Sequence, residues 1–230
     1  MLSYAVEQEW LATSPAFRVR KPRPVSLREP RILNAEERER LLLCTPEYWR
    51  PCMMAFIYLG YRRMEVFGMT WRCLEGCESG GRYRVTEQLG PDGSLQPLKT
   101  GNGRRVLPVP AFVMTAFLSH REVCPATEAG LMFPTPAGFP VHAPNFYRRV
   151  FKPAAAAAGL EGLTLHSLRH GWASHLARVL SPFDLCRALG HHDPGFTYKR
   201  YCSEIPMDED AVAARLVDIM GEPSLVKTTS

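Results

Sequence analysis

Residues 163–177 read LTLHSLRHGWASHLA, and this stretch decides the interpretation of the whole chain. At 3.6 residues per turn, Leu168 and Trp172 lie on one face of a helix, which predicts that this face packs into a core. His166 and Arg169 lie beside that face, three residues apart, so a helix fixed by its apolar side would present both together. Arginine offers a planar fork of donors for phosphate oxygens, and histidine donates one hydrogen bond or transfers a proton. Ordinary polar helix edges also carry such pairs. The rest of the chain must therefore decide whether this pair is a functional site or a solvated helix edge.

The composition indicates one globular core and excludes a membrane protein. The chain has 230 residues, of which 46% are hydrophobic, and its mean hydropathy is −0.16. The longest apolar run, residues 52–61, is far shorter than the roughly 20 residues of a membrane span. The first ten residues, MLSYAVEQEW, contain acids and no secretion signal. The seven cysteines are scattered along the chain, which predicts free thiols in a reducing cytoplasm.

The charge is unevenly distributed. The net charge is +5 and the isoelectric point is near 8.9, which suits a polyanionic partner without proving one. Residues 17–31 contain six basic residues and one acid, so they are either a solvated linker or a segment that lies along phosphates. The chain from residue 206 onward contains five acids and two bases.

Periodicity and turn signals predict a mainly α fold with one small three-stranded antiparallel β-sheet. Asn34 and Glu37 predict a capping box at the start of a helix. The turns GPDG and TGNG predict the sheet within residues 82–109. Helices are predicted at about residues 34–44, 49–59, 145–158, 163–176, 182–189, 195–202 and 208–220, with short ones after Arg62 and from Ala111.

Three further segments favour a functional interpretation of the His-x-x-Arg pair. LGYRRMEVFGMTW, residues 59–71, places Arg62 directly after a Gly-Tyr break; LKTGNGRRVLPVP, residues 98–110, places Lys99 before a glycine-rich turn. LGHHDPGFTYKRY, residues 189–201, places a histidine after Leu-Gly and a tyrosine ten residues later. The four segments, in this order, resemble the catalytic domain of the tyrosine recombinases, the phage integrase family. The resemblance covers about residues 33–201.

The resemblance implies a fold, a chemistry and a set of site residues. It implies the tyrosine recombinase catalytic-domain fold and DNA cleavage through a 3′-phosphotyrosyl intermediate, without a cofactor. The residues that match the family's active site are Arg62 in the pattern Gly-x-Arg-x-x-Glu, Lys99 at the turn of the sheet, the pair His166 and Arg169, His191, and Tyr201 as nucleophile. Ser167 departs from the family, in which an aspartate is frequent, and we expect a change in helix capping only.

The chemistry of these residue types supports the same assignment. Cleavage of a phosphodiester without metal requires fixed donors that stabilise the charge on the pentacovalent phosphorus. Arginines and histidines are such donors. A tyrosine needs nearby positive charge to become a good nucleophile, and a lysine can protonate the 5′ oxygen that leaves. We see no carboxylate cluster with the spacing of metal ligands, so we expect no metal.

Several residues have alternative interpretations. Tyr198 lies three residues before Tyr201 and is a rival nucleophile. The sequence His191-His192-Asp193 could belong to a metal site, and so could the pair Cys73 and Cys77. Arg104 and Arg105 either contact the DNA backbone or lie on a solvated hairpin. Glu65 either positions an active-site neighbour or caps its own turn.

The resemblance also implies a division of the chain into three parts. We expect the last helix of an N-terminal DNA-clamping domain and a basic linker in residues 1–31, the catalytic domain in residues 32–205, and a tail helix in residues 206–230. Because most of the clamping domain is missing, we expect weak and salt-dependent DNA binding.

The predicted partner is double-stranded DNA, and the predicted function is site-specific recombination or integration. The tail could dock on a neighbouring subunit, so self-association on DNA is expected, or it could be an intramolecular lid. One alternative is a type IB topoisomerase, which has the same chemistry but reseals the same strand. The other is an inactive remnant that only binds DNA or partner recombinases. No membrane association is expected.

Overall fold

The computed structural model describes residues 2–17, 31–98 and 103–203. The predicted site residue Lys99, most of the basic linker and the tail helix predicted at 208–220 lie outside the described residues. In the part that is described, no helix combines the length and apolar character needed to cross a bilayer.

The first half of the chain is helical. The helices are α1 (Leu2–Glu7), α2 (Ala35–Cys44), α3 (Arg50–Tyr58) and α4 (Arg63–Phe67), with a 3₁₀ turn at Glu47–Trp49 before α3. The predicted capping box of α2 is confirmed. Asn34 Oδ1 accepts from the Glu37 backbone N–H at 2.9 Å, and Glu37 Oε2 accepts from the Asn34 backbone N–H at 3.0 Å.

The strands form a three-stranded antiparallel sheet and a separate hairpin. The strands are β1 (Leu74–Cys77), β2 (Gly80–Val85), β3 (Glu87–Leu89), β4 (Leu95–Pro97) and β5 (Arg105–Val109). The sheet has the order β1-β2-β5, with Tyr83 opposite both Leu74 and Leu107, and β3 pairs with β4 alone. The predicted sheet is therefore confirmed, but its membership was wrong. Residues 87–97, within the predicted range, form the separate hairpin. The edge strand β1, outside that range, was missed because it shows no alternation of buried and exposed residues.

The second half is again helical. The helices are α5 (Ala111–Val123), α6 (Ala143–Phe146), α7 (Lys152–Ala157), α8 (Leu165–Leu176), α9 (Pro182–Leu189) and α10 (Pro194–Thr197). A π-helical turn at Tyr147–Phe151 joins α6 to α7, and another at Tyr198–Cys202 follows α10. The first π turn ends next to Pro153, which has no N–H for a regular α-helical bond.

Aromatic side chains form the centre of the core. Phe67 contacts Phe56 and Phe146 edge-on, at ring distances of 5.5 Å and 5.1 Å. Trp172 on α8 joins this core to the site, since its Nε1 donates to the Tyr58 carbonyl at 2.9 Å. Its ring lies directly over Gly60, where an added Cβ would come within 2.2 Å of the ring. Helix α8 is thereby fixed against the end of α3, just before Arg62.

Candidate active site

The C-terminus of α9 is the centre of the site. Gly190 ends this helix in the left-handed conformation, with φ 62° and ψ 40°, which explains the glycine before His191. The last carbonyl groups of a helix have no partners within the helix and form the negative end of its dipole. This end is therefore a favourable place for cationic donors.

Three arginines occupy that helix end. Their guanidinium groups donate to successive carbonyl oxygens: Arg105 Nε to Ala188 at 2.8 Å, Arg169 Nη2 to Leu189 at 2.6 Å and Arg62 Nη2 to Gly190 at 2.6 Å. These residues come from a strand, a helix and a loop that are far apart in sequence. The contacts bring the predicted site residues Arg62, Arg169 and His191 together.

Glu65 on α4 holds two of these arginines. Its Oε1 accepts from Arg62 Nη1 at 2.8 Å, and its Oε2 accepts from the Arg62 backbone N–H and from Arg105 Nη2, both at 2.7 Å. The Glu65 side chain is 1% exposed. Burial alone would raise the pKa of its carboxyl group, but the hydrogen bond and charge of Arg105 outweigh burial and lower it to about 2. Glu65 is thus a charged internal support, and both predicted roles for it, capping and positioning, are present in the structure.

Arg169 is buried, although the sequence places it beside the apolar face of its helix. The residue is 5% exposed, and its Nη1 donates to the Gly60 carbonyl at 2.6 Å. Burial lowers its pKa to about 10, while the charge of Glu65 opposes the shift and that of Arg62 adds to it. Arg169 therefore remains a cation at neutral pH and also joins the end of α3 to the end of α9.

Arg62, His166, Arg169 and His191 line one cleft. Its volume is about 490 Å³, and its other lining residues are Tyr61, Arg63, Tyr147, Thr164 and Leu165. The Arg62 side chain is 42% exposed, so its guanidinium group remains accessible. The formally charged residues that line the cleft are arginines, so the cleft is suited to an anion such as a phosphodiester.

The two predicted histidines have lowered pKa values for related reasons. Burial, followed by the charges of Arg169 and Arg62, lowers the pKa of His191 to about 4. Its Nδ1 lies 3.0 Å from the hydroxyl oxygen of Thr197, which is buried. His166 is exposed and lines the cleft. Its partial loss of solvent, followed by the positive charge of Arg169, lowers its pKa as well. Both effects of arginine charge weaken when an anion enters the cleft.

Tyr201 contacts a histidine that the sequence analysis left without a role. Its hydroxyl oxygen lies 2.8 Å from Nδ1 of His170, and Nε2 of His170 lies 3.0 Å from Nη2 of Arg200. The Tyr201 ring packs against the small apolar cluster formed by α8 and α9. Burial raises the pKa of Tyr201, and the hydrogen bonding and then the positive charge of Arg200 oppose the shift. His170 is one helical turn after His166, and this i, i+4 spacing was the available signal.

The predicted DNA-contacting arginines differ from each other. Arg104 is exposed, and its contact with DNA stays a prediction. Arg105 does not lie on a solvated hairpin, since its side chain is only 6% exposed and pairs with Glu65 inside the protein. Its contact with the DNA backbone also stays a prediction. Its guanidinium carbon also lies 5.4 Å above the centre of the Tyr61 ring.

Neither of the two alternative metal sites forms a ligand cluster in the described part of the chain. Within it, no group of three or more His, Cys, Asp or Glu side chains is arranged to hold a metal ion. The thiol of Cys77 instead contacts the hydroxyl of Ser79 at 3.0 Å.

Comparison with known proteins decides the family. The model of the phage integrase family matches residues 30–205 of this chain. The chain belongs to the phage integrase family. Among its relatives is the tyrosine recombinase XerC of Xylella fastidiosa strain M23, which is 27% identical over 201 residues. That match covers 83% of this chain and 62% of the Xylella protein, so the chain spans less than two thirds of the relative's length.

Solved structures show that the chain has the fold of the integrase catalytic domain. The Tn1549 transposon integrase in complex with circular intermediate DNA superposes with a TM-score of 0.66 at 19% identity, covering 84% of this chain and 68% of that one. The XerA recombinase superposes with a TM-score of 0.61 at 16% identity, covering 96% of this chain and 74% of that one. A lambda integrase dimer bound to a core site superposes with a TM-score of 0.59 at 17% identity, covering 90% of this chain and 57% of that one. The expected fold class is therefore confirmed.

Proposed function

We propose that this chain is the catalytic part of a site-specific DNA recombinase that cuts and rejoins strands through Tyr201. The main support is a connection between the arginine-lined cleft and Tyr201. His166 and Arg169 of α8 line the cleft, and His170 of the same helix contacts both the His166 ring and the Tyr201 hydroxyl. Membership of the phage integrase family supports the same activity, and the DNA complexes among its structural neighbours support double-stranded DNA as substrate.

In the proposed reaction, Tyr201 Oη attacks the phosphorus of one strand and the 5′ oxygen of the next nucleotide leaves. Arg62, Arg169, His166 and His191 donate hydrogen bonds to the non-bridging oxygens as their charge grows. Lys99 gives its proton to the departing 5′ oxygen. The 5′-hydroxyl of another strand then attacks the phosphorus of the 3′-phosphotyrosyl group, its proton returns to Lys99, and the P–O bond to Tyr201 breaks.

Arg62 can bind a phosphate without giving up its present partners. In the structure, its guanidinium group donates one N–H to Gly190 and one to Glu65, which uses two of its five donors. A phosphate would bind the other donors while Glu65 continues to fix the guanidinium plane. The site would then be prepared for an anion before DNA binds, which is the arrangement that electrostatic catalysis favours.

We further propose self-association on DNA through residues 206–230, and action in the cytoplasm. The acidic character of this segment supports docking on the basic surface of a second copy. One relative in the structural comparison is a dimer on DNA. Residues 1–31 would precede the catalytic part, residues 32–205.

The experiment uses nicked duplexes from the DNA flanking the gene, in which the nick traps the covalent complex. A recombinase transfers the trapped strand to a second duplex that carries a free 5′-hydroxyl. A type IB topoisomerase relaxes a supercoiled plasmid and leaves the second duplex unjoined. If none of the nicked duplexes forms a covalent adduct with the protein, the result favours a DNA-binding remnant and contradicts the proposal.

A further inference from the structure

Arg200, His170 and Tyr201 form a chain of hydrogen bonds. Arg200 Nη2 lies 3.0 Å from His170 Nε2, and His170 Nδ1 lies 2.8 Å from Tyr201 Oη. His170 is only 6% exposed, so its ring depends on these two partners instead of bulk water. The ring of His166 meets that of His170 edge-on at 4.4 Å and limits its rotation.

The chemistry of arginine fixes the position of the histidine proton. A guanidinium group has donors and no acceptor, so His170 Nε2 must accept the hydrogen bond from Arg200. A neutral imidazole with an accepting Nε2 carries its hydrogen on Nδ1. The Nδ1–H group therefore donates to Tyr201 Oη, and His170 cannot take the tyrosine proton in this state.

The surrounding charges keep His170 neutral. Burial lowers its pKa to about 4, helped by repulsion from His166 and His191 when these are protonated and from the permanently charged Arg200 and Arg169. Those residues, which lie on α8, on the turn that carries Tyr201 and in the loop after α9, are also the ionisable groups that act on the His170–Tyr201 pair. At neutral pH the single hydrogen of the ring stays between Nδ1 and the tyrosine.

We propose that Arg200 holds His170 as the Nδ1–H tautomer, and that this tautomer donates a hydrogen bond that stabilises the phenolate form of Tyr201. This inference rests on the proposed function. His170 touches the atom proposed to react, and Arg200 acts through His170 as a positioning residue. The Tyr201 proton is released to water when the phenolate forms, and Oη then attacks phosphorus. In the reverse step the same N–H stabilises Tyr201 as it leaves.

The tautomer is measured first, by ¹⁵N NMR of the histidine rings in the whole chain without DNA. We expect His170 Nδ1 to give a protonated signal and Nε2 an unprotonated one at pH 7. Arg200→Met removes the donor to Nε2 and should shift the equilibrium toward the Nε2–H form. A wild-type His170 protonated on Nε2 would overturn the proposal.

The effect on Tyr201 is measured by titrating its ring carbon signal in the same free protein. His170→Leu removes the donor, so the Tyr201 midpoint should rise by about 1 pH unit or more. His170→Asn keeps an N–H close to the Nδ1 position and should restore part of the difference. The control is His175→Asn, an exposed histidine on the same helix, which should leave the midpoint unchanged. An unchanged midpoint in a folded His170→Leu protein overturns the proposal.

A single-turnover pH profile on nicked DNA then separates this inference from the proposed function. The rate of His170→Leu should require higher pH than that of the wild type, with partial recovery in His170→Asn. If wild-type protein forms no adduct while both NMR results hold, the proposed function fails and the hydrogen-bond chain stands. If wild-type protein cleaves DNA and the profile of His170→Leu is unchanged, this inference fails and the proposed function stands.

Discussion

Glu65 and Arg105 form a buried ion pair beneath the site, with Oε2 2.7 Å from Nη2 and Oε1 3.1 Å from Nη1. Their side chains are 1% and 6% exposed. The same carboxylate binds the guanidinium group and the backbone N–H of Arg62. The pair therefore couples the stability of the fold to the position of a proposed catalytic arginine.

Breaking this pair should destabilise the protein strongly. Arg105→Met leaves the buried Glu65 carboxylate with one fewer cation, which typically costs about 3–5 kcal/mol. Urea unfolding measures the loss. Glu75→Gln is the matched control, since Glu75 pairs with Arg84 on the surface, where such pairs contribute about 0–1 kcal/mol. Equal effects of the two substitutions would contradict the internal role of Arg105.

Arg62 and Arg169 should separate in their effects on stability. Arg62→Ala is expected to slow single-turnover cleavage about a hundredfold or more. Its loss of stability should be smaller than that of Arg105→Met, because Arg105 still holds Glu65 with two hydrogen bonds and the Arg62 side chain is 42% exposed. Arg169→Ala should lose cleavage and also stability, because it leaves the carbonyls of Gly60 and Leu189 without their donors. Cleavage by Arg169→Ala at the wild-type rate would remove Arg169 from the site.

Lys99 is tested by changing the leaving group. Lys99→Ala should slow strand cleavage because the 5′ oxygen leaves without a proton. A substrate with a 5′-bridging sulfur has a better leaving group and needs less protonation, so it should recover much of the rate. Wild-type protein on both substrates is the control. A Lys99→Ala protein that remains equally slow on the sulfur substrate would show that Lys99 is not the general acid.

The free energy of unfolding should decrease as the pH falls from about 6.5 to about 4. Burial and positive neighbours lower the pKa values of His170 and His191 to about 4 from the ordinary 6.5. Between these values the unfolded chain binds more protons than the folded chain, so acid favours unfolding. Urea midpoints at pH 7 and pH 5 measure the slope. It should flatten in the variant with both His170→Asn and His191→Asn and persist in His175→Asn; an identical slope in all three proteins would contradict this.

The sequence predicted those parts of the molecule that local patterns determine. The Asn34 cap and the apolar face of α8, formed by Leu168 and Trp172, follow from spacing within one or two helical turns. Arg62, His166, Arg169 and Tyr201 were predicted as site residues because each lies in a short motif. The structure brings Arg62, His166 and Arg169 to one cleft, and Tyr201 contacts His170, whose ring packs against that of His166. The catalytic roles of these residues stay predictions.

The missed features depend on contacts between distant segments. Arg105 was expected on the surface, because nothing near it in sequence reveals that Glu65, 40 residues earlier, is its partner. His170 received no role because its contact with Tyr201 spans 31 residues. Strand β1 lacks the alternation that identifies a strand and exists only through its pairing with β2.

The most direct test of the account is to identify the tyrosine that becomes joined to DNA. The trapped adduct is digested with nuclease and then with trypsin, which cuts after Lys199 and Arg200 and so separates the two candidate tyrosines. The account predicts that the nucleotide remnant is found on the peptide YCSEIPMDEDAVAAR, residues 201–215, and that Tyr201→Phe forms no adduct while Tyr198→Phe still does. A remnant on ALGHHDPGFTYK, residues 188–199, with an adduct that survives in Tyr201→Phe, would contradict it.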